Sequence, residues 1–232
     1  MPFVFPAPTP ASVPVVGQSA RFPVHRIYCV GRNYAEHAKE MGFTGREAPF
    51  FFMKPADAVL PAEHQTTVAM PYPSLTSNLH HEIELVVAIG KGGKNIPATQ
   101  ALEHIWGYAV GLDMTRRDLQ NDMKKQGRPW CIGKAFEGSA PIGAITPAAH
   151  AGDIAQAEIW LQVNGVDRQR SHIHQLIWNI AETIEVLSQA WELQAGDLIM
   201  TGTPEGVAAV QRGDLLEGGI TGLSPLRVKI TD

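Results

Sequence analysis

Alternating apolar residues mark a strand within the segment HHEIELVVAIG, residues 80–90. Aliphatic side chains fall on every second position of Ile83–Ile89, which predicts a β-strand with an apolar face. The same period of two places Glu82 and Glu84 together on the other face, at the head of the strand. Because two adjacent carboxylates beside a buried strand repel each other and lose hydration, the pattern indicates a bound divalent metal. The alternative is a solvent-facing pair of ordinary acids.

The rest of the hydrophobic pattern predicts many short strands and few helices. An Asn-Gly pair at 164–165 predicts a hairpin. Apolar positions three and four residues apart predict one long helix over 173–191, and an amphipathic helix is expected over 114–127. Apolar runs bounded by glycine, proline or polar residues predict strands at 27–30, 50–53, 82–89, 107–113 and 157–170. The expected fold class is therefore α+β, predominantly β, with a few peripheral helices.

Length and proline content divide the chain into an arm and one domain. Residues 1–24 hold six of the 17 prolines, which predicts an extended N-terminal arm. Residues 25–232 fit a single domain, and a chain that is 44% hydrophobic can bury a sizeable core. The sequence has neither G-x-G-x-x-G between a strand and a helix nor G-x-x-x-x-G-K-[ST], so dinucleotide and P-loop sites are not expected.

Charge and cysteine content exclude several classes of protein. The formal net charge is −4 and there is no basic run, so nucleic-acid binding is not expected. Cys29 and Cys131 stand far apart and form no C-x-x-C pair, which argues against a disulfide framework and fits a reducing compartment. The N-terminus lacks the positive region of a signal peptide, and no apolar run is long enough to span a membrane. We therefore expect a cytoplasmic protein without membrane partners.

A third acid stands where another predicted strand ends, at Asp113 in GYAVGLD. In a helix that starts there, Arg117 and Gln120 are i+4 and i+7, so an acid, a guanidinium and an amide share one face. With Glu82 and Glu84, Asp113 would complete a three-carboxylate site that leaves positions open for water and substrate. The alternatives are a helix N-cap at Asp113 and a weak surface ion pair with Arg117.

Three further segments carry candidate catalytic or binding groups. His37 and Glu40 are i and i+3 in HAKE, so the carboxylate can orient the imidazole as a base for water, unless this is a polar helix surface. Lys134, in CIGKAFEG, is a candidate clamp for an oxyanion or enolate, or else a surface side chain. In TGTPEG, the Thr203 hydroxyl and backbone amides such as that of Gly202 can bind a carboxylate, unless the segment is a plain hairpin turn.

Zinc is the competing metal for His80-His81-Glu82. The H-x-E pattern is half of a zinc-deaminase signature, but Cys131 has no second cysteine three residues away, and H-E-x-x-H is absent. Oxygen ligands favour a harder ion than zinc.

Six motifs, which include the segments above, follow one another in a characteristic order and spacing. They are YCVGRNYAEHAKEMG, FFFMKPADAV, HHEIELVVAIG, GYAVGLDMTRRDLQ, GRPWCIGKAFEGSAPIG and MTGTPEGV. From about Val24 to the C-terminus the chain resembles the fumarylacetoacetate hydrolase family, and within it the short bacterial members that cleave acylpyruvates. The resemblance implies a mixed β-roll or barrel, a homodimer and a divalent metal in a cleft.

The resemblance also implies roles for individual residues. It assigns the metal ligands to Glu82, Glu84 and Asp113, the water-activating pair to His37 and Glu40, and polar active-site positions to Arg117, Gln120, Lys134 and Thr203. Large members of the family draw a fourth acid from a region where this chain has Arg32 and Asn33. Mg²⁺ or Mn²⁺ is therefore expected rather than Ca²⁺, which takes more protein oxygens.

The implied activity is hydrolysis of a carbon–carbon bond in a 2,4-dioxo acid, with fumarylpyruvate of gentisate breakdown as the expected substrate. The metal is expected to bind the 1-carboxylate and 2-oxo group, while His37 activates water, Gln120 holds it and Lys134 stabilises the enolate. Arg46, on a loop over 43–49 that is expected to close over the site, is the candidate for the distal carboxylate.

Other activities on the same scaffold stay open from the sequence. They are hydrolysis of another acylpyruvate, oxaloacetate decarboxylation or tautomerisation, and isomerisation or decarboxylation of hydroxymuconate-type diacids. A more distant alternative is a metal-dependent diacid-binding module without catalysis, which would keep the acids but need no aligned base.

Overall fold

A computed structural model of the chain describes residues 3–36 and 46–232. Within these ranges the strands are β1 (Ser12–Pro14), β2 (Arg21–Pro23), β3 (Ile27–Gly31), β4 (Phe50–Lys54), β5 (Val59–Pro61), β6 (Thr67–Pro71), β7 (Leu79–His80), β8 (Ile83–Ile89), β9 (Ile105–Leu112), β10 (Thr115–Arg116), β11 (Ala140–Ile142), β12 (Thr146–Pro147), β13 (Glu158–Val163), β14 (Val166–His172), β15 (Leu198–Met200), β16 (Leu215–Ile220) and β17 (Leu226–Thr231). The α-helices are α1 (Arg117–Lys125), α2 (Cys131–Lys134) and α3 (Ile180–Ala190). Short 3₁₀ helices occur at Ala56–Ala58, Ala98–His104, Ala148–His150, Ile154–Gln156 and Ile173–Gln175. The prediction of a mostly β fold with few helices is confirmed.

Two large sheets form the body of the molecule. The first has the order β4-β3-β15-β8-β9-β11-β5, with β12 also paired to β9. It is a mixed sheet, since β15 runs parallel to β3 and antiparallel to β8. The second sheet has the order β14-β13-β16-β17-β6. None of the helices in the described ranges combines the length and apolar character needed to cross a bilayer.

The central strand β8 is buried on both of its faces. All seven of its residues are buried. One face, which includes Ile83 and Leu85, belongs to the main hydrophobic core. The other face, which includes Val86 and Ala88, packs in a second core with Val13 and other apolar residues of the N-terminal hairpin β1–β2. The alternation in the sequence therefore separates two apolar environments, and the acids Glu82 and Glu84 head the second one.

The long helix expected over 173–191 is shorter than predicted. Residues 173–175 form only a 3₁₀ turn, and α3 begins at Ile180. The reason is a capping box, in which the Asn179 side chain accepts from the Glu182 N–H and the Glu182 carboxylate accepts from the Asn179 N–H. The prediction extended an apolar pattern through the residue that starts the helix.

The predicted hairpin and the predicted helix over 114–127 had different outcomes. The Asn-Gly hairpin is confirmed, because Asn164 and Gly165 both have positive φ, 53° and 77°, between β13 and β14. The helix expected over 114–127 is wrong at its start, since Thr115–Arg116 pairs with β7 as a short strand. Helix α1 therefore starts at Arg117 and leaves Asp113 outside it.

Candidate active site

The register of β8 and β9 places two of the candidate acids side by side. Glu82 precedes β8 and Asp113 follows β9, and the strands pair with Ile83 opposite Leu112. The backbone N–H of Asp113 donates to the carbonyl of Glu82 at 2.9 Å. Glu84 projects from the same face of β8, and ligand oxygens of the three buried carboxylates lie within 4.8 Å of one another. Sheet pairing, rather than a shared helix, brings Asp113 to the acid pair.

Three cations surround this group, which we call the acid cluster (Glu82, Glu84 and Asp113). Lys134 Nζ donates to Glu82 Oε2 at 2.8 Å and to Asp113 Oδ2 at 2.5 Å. Lys54 Nζ lies 2.8 Å from Asp113 Oδ1, and Arg117 pairs with Glu82 Oε1. The Lys134 side chain is only 3% exposed, so the alternative of a surface lysine is wrong.

The acids differ in how much positive charge the protein gives them. Burial raises the pKa of Glu82, but Lys134 and Arg117 outweigh it and hold that pKa below its usual range. For Glu84, burial and then the neighbouring Asp113 and Glu82 carboxylates hold the pKa well above its usual range. Among the described residues, Glu84 accepts one hydrogen bond, from the Gly202 N–H at 2.7 Å. Glu84 is therefore the acid with the least compensation by the protein.

The donor set of the acid cluster fits a hard divalent ion. It consists of buried carboxylate oxygens close enough to share one ion, and one of its acids lacks a cationic partner among the described residues. Mg²⁺ and Mn²⁺ prefer such oxygen ligands. Within the described ranges no histidine belongs to the group, since His81 Nδ1 bonds Gln169 and His80 Nε2 bonds Asn78. The zinc alternative therefore lacks support.

The loop after β15 positions both Glu84 and a hydroxyl. Gly202 has φ +99°, and a Cβ at this position would lie 2.7 Å from Asn33 Cβ, so only glycine fits. Its N–H, expected to bind substrate, is used in this structure to hold Glu84. The next residue, Thr203, is buried and lines the same pocket as the acids. Its hydroxyl accepts from Gln169 Nε2 at 2.8 Å.

Helix α1 presents polar side chains to this pocket. Arg117 and Gln120 are i and i+3, and Arg117 Nη1 donates to Gln120 Oε1 at 2.6 Å. Both line the pocket with the acid cluster, Lys134 and Thr203. The predicted polar helix face is thus present at Arg117 and Gln120. Asp113 is not on the helix, and it reaches the same pocket from the end of strand β9.

Two residues that support the site were not among those predicted from the sequence. Lys54, at the end of FFFMK, is 1% exposed and contacts Asp113. Gln169 is buried in an otherwise exposed stretch of β14 and bonds His81, the Ile83 N–H, Thr203 and the carbonyl of Pro204. Lys54 had a visible signal, a charge that ends an apolar strand, whereas Gln169 had none beyond β-strand alternation.

Among the predicted residues that the structure describes, Arg46 lies apart from the acid cluster. Arg46 Nη2 donates to Glu182 Oε1 at 2.7 Å, and its guanidinium lies 4.0 Å from the ring centre of Trp178. It does not line the pocket of the acid cluster. His37 and Glu40 lie outside the described residues, so the base assignment stays a prediction.

Comparison with known proteins places this arrangement in a family. The family model for the Fumarylacetoacetate (FAA) hydrolase C-terminal region matches residues 26–231. The solved structure of fumarylpyruvate hydrolase from Pseudomonas aeruginosa, in complex with Mn²⁺ and pyruvate, is 58% identical, covers 99% of each chain and superposes with a TM-score of 0.97.

Curated relatives support the same family, but they are named for other activities. Oxaloacetate tautomerase FAHD1, mitochondrial, from Rattus norvegicus is 43% identical over 204 residues, which are 88% of this chain and 90% of the relative. Oxaloacetate decarboxylase, mitochondrial, from Dictyostelium discoideum is 39% identical over 198 residues, 85% of this chain and 89% of the relative. The resemblance inferred from the six motifs is confirmed, and the chain belongs to the fumarylacetoacetate hydrolase family.

Proposed function

We propose that this protein hydrolyses a carbon–carbon bond of a 2,4-dioxo acid with the help of Mg²⁺ or Mn²⁺, and that it cleaves fumarylpyruvate to fumarate and pyruvate. The observation that carries the proposal is the buried acid cluster in one pocket with Lys134, Arg117 and Gln120. A chain 58% identical, with the same fold, is a fumarylpyruvate hydrolase solved with Mn²⁺ and pyruvate. The pocket and the relative thus support the same chemistry.

The acid cluster would hold the metal. When bound, the ion supplies Lewis acidity to the substrate's oxygen atoms. The three acids of the acid cluster carry as many formal charges as Lys54, Lys134 and Arg117, the cations that form ion pairs with Glu82 and Asp113. A divalent ion therefore makes the inner pocket positive, which favours an anionic substrate over a neutral one.

The chain's own residues then have separate tasks. His37, oriented by Glu40, takes a proton from the water that attacks the C4 carbonyl, and Gln120 holds that water or the oxyanion. When the C3–C4 bond breaks, its electron pair goes to C3 and the pyruvate enolate forms. Burial lowers the pKa of Lys134, but Asp113 and Glu82 outweigh burial and raise it. Lys134 therefore stays an ammonium that stabilises the enolate charge.

Thr203 is suited to the carboxylate of the pyruvyl end. Its hydroxyl oxygen already accepts a hydrogen bond from Gln169 Nε2. The hydroxyl hydrogen is therefore directed away from that donor and is available to a carboxylate in the pocket. Arg117 provides positive charge on the same wall.

A panel of substrates with added Mn²⁺ tests the proposal. We expect cleavage of fumarylpyruvate to exceed that of acetylpyruvate and the decarboxylation of oxaloacetate, and we expect a chelator to abolish it.

His37→Ala should lower turnover by at least about 10³-fold, with Mn²⁺ affinity unchanged in calorimetry. Full turnover in this variant would contradict the role of His37.

Oxaloacetate chemistry is the second candidate, favoured by the names of the two curated relatives. Tautomerisation and decarboxylation need the metal and a stabilised enolate but no hydrolytic water. The same panel therefore separates the two functions. If oxaloacetate turnover exceeds cleavage of every acylpyruvate, the hydrolase proposal is wrong.

The oligomeric state, metabolic role and cellular location of the enzyme are further parts of the proposal. Family resemblance supports a homodimer, and the expected substrate supports a place in aromatic catabolism in the cytoplasm. Light scattering on the purified chain tests the dimer, which a monomer mass would contradict.

A further inference from the structure

A buried amide connects the second sheet to the active-site pocket. Gln169 is 2% exposed, although both of its neighbours on strand β14 are exposed. The pairing of β13 with β14 shifts register at this point, since Leu161 faces Gln169 and the next residue, Gln162, faces Asp167. One extra residue in β14 therefore forms a β-bulge, a feature that redirects side chains next to it. The bulge accounts for an inward amide on a largely exposed strand.

The loop after β15 packs closely against this bulge. Gly206 has φ +89°, and a Cβ at this position would overlap the carbonyl oxygen of Arg168, so only glycine fits. The close approach brings two loop residues within reach of the Gln169 amide. Its Nε2 donates to Thr203 Oγ1 and to the carbonyl of Pro204, both at 2.8 Å. The hydroxyl that lines the pocket is thus held from behind by the second sheet.

The other partners of Gln169 fix which end of the amide faces Thr203. A backbone N–H can only donate, and a carbonyl oxygen can only accept. The Ile83 N–H meets Gln169 Oε1 at 3.1 Å and the Pro204 carbonyl meets Nε2, so a turned amide would lose both bonds. His81 Nδ1, 2.9 Å from Oε1, carries a hydrogen because Oε1 only accepts. The group behind the Thr203 hydroxyl is therefore a donor.

We propose that Gln169 is a positioning residue that keeps the Thr203 hydroxyl a donor toward the pocket and so sets the affinity for the pyruvyl carboxylate. This inference rests on the proposed function and concerns the same site. A hydroxyl has one hydrogen, and with a donor behind it that hydrogen is left for an acceptor in front. With an acceptor in place of Nε2, the hydroxyl would donate backward and present only lone pairs to the carboxylate.

Gln169→Glu reverses this hydrogen bond and keeps two others. The carboxylate still accepts from the Ile83 N–H and from His81 Nδ1, and these donors stabilise its ionised form. Calorimetry should show that pyruvate binds the Mn²⁺-loaded variant about tenfold more weakly, the effect of one hydrogen bond to a charged group. Mn²⁺ affinity should stay within about twofold, since the backbone beside the acid cluster keeps its bond. In the steady state, KM for fumarylpyruvate should rise with little change in kcat.

Thr203→Val shows whether Gln169 acts through the hydroxyl. This change alone should weaken pyruvate binding about tenfold, and the addition of Gln169→Glu should weaken it by less than about twofold more. Thr203→Ser keeps the hydroxyl and should retain the affinity. Gln175→Glu, the same change at an exposed position outside the pocket lining, is the matched control and should have no effect. Losses that multiply in the double variant, or a parallel fall in Mn²⁺ affinity in Gln169→Glu, would mean a merely structural role and overturn the proposal.

Gln169→Met keeps the test valid for a chain that does not tolerate the buried carboxylate. Methionine removes every hydrogen bond of the amide but leaves the Thr203 hydroxyl free to rotate. Its loss of pyruvate affinity should therefore be smaller than that of Gln169→Glu, and it should disappear in the Thr203→Val background. A loss that persists in that background, unchanged affinity in every folded Gln169 variant, or no pyruvate binding to the unmodified protein would overturn the proposal. The proposed function fails separately, if the unmodified protein binds pyruvate but cleaves no acylpyruvate.

Discussion

In the described part of the chain, two places use one cation to bridge two acids, and they differ chiefly in burial. Lys134 bridges Glu82 and Asp113 in the pocket, and its side chain is 3% exposed. Arg170 bridges Glu158 and Asp167 on the second sheet, and its side chain is 45% exposed. The local pattern of charges is the same, so any difference in consequence comes from the surroundings.

The surroundings decide whether the charges depend on one another. In the pocket, water cannot replace a lost partner. The buried acids that pair with Lys134, Lys54 and Arg117 therefore stay ionised only while these cations are in place. On the sheet surface, hydrogen bonds raise the pKa of Arg170 and lower that of Asp167, yet water and salt can solvate both groups. The charges of the buried bridge are thus coupled to one another, whereas those of the exposed bridge are solvated independently.

The largest expected effect is the loss of metal from the acid cluster. Glu82→Gln keeps the size of the side chain but removes one ligand charge, so Mn²⁺ affinity should fall by at least about 100-fold and turnover by about 10³-fold. Calorimetric titration with Mn²⁺ measures the first and a steady-state assay the second. Glu158→Gln, the same change in the exposed bridge, should alter neither. Unchanged Mn²⁺ affinity in Glu82→Gln would refute the ligand assignment.

Removal of a buried cation should be the next largest effect. Lys54→Met leaves Asp113 with one cation fewer in a site that excludes water, which should lower the free energy of unfolding of the metal-free protein by about 3 kcal/mol. Urea denaturation in the presence of a chelator measures this change. Lys125→Met, at an exposed lysine, serves as the control and should be neutral. An equally stable Lys54→Met protein would mean that the Lys54–Asp113 contact does not contribute to the free energy of unfolding.

The sequence predicted the acids of the pocket better than their partners. Glu82 and Glu84 were visible because period-two alternation is a local signal, and Asp113 because it ends an apolar run. Lys54 and Gln169 act across long sequence separations, and Gln169 bonds groups 86 and 88 residues away. Such contacts depend on sheet order, which no local pattern in this chain encodes.

The boundaries of the helices also depend on contacts that are distant in the sequence. The apolar spacing over 173–191 begins before the true start of α3, since residues 173–175 form a 3₁₀ turn and the apolar residues 176–178 precede the helix without joining it. Asn33 fixes that boundary from afar, because its Oδ1 accepts from the Trp178 N–H at 2.8 Å. The helix expected from Asp113 failed for a similar reason, since pairing with β7 extends residues 115–116. Tertiary hydrogen bonds therefore set these boundaries.

A smaller effect is expected from the neutral polar group behind the pocket. Gln169→Leu removes hydrogen bonds to the Ile83 N–H and the Thr203 hydroxyl oxygen, and it leaves a buried donor at Ile83 and a buried acceptor at Thr203 without this partner. We expect a loss of about 2 kcal/mol in the free energy of unfolding, together with a raised KM because Thr203 is no longer held. Denaturation and steady-state assays measure both. Gln162→Leu, at a half-buried position of β13, is a control that should change neither.

The smallest effect should come from the exposed bridge itself. Arg170→Ala removes the cation shared by Glu158 and Asp167, yet both acids regain water, so the midpoint of thermal unfolding should not change measurably at physiological salt. A decrease that appears only at low ionic strength would still agree with screening by solvent. A salt-independent decrease as large as that of Lys54→Met would break the comparison, because burial would then no longer separate the two bridges. The role proposed for Lys134 would in that case have to come from its position in the pocket alone.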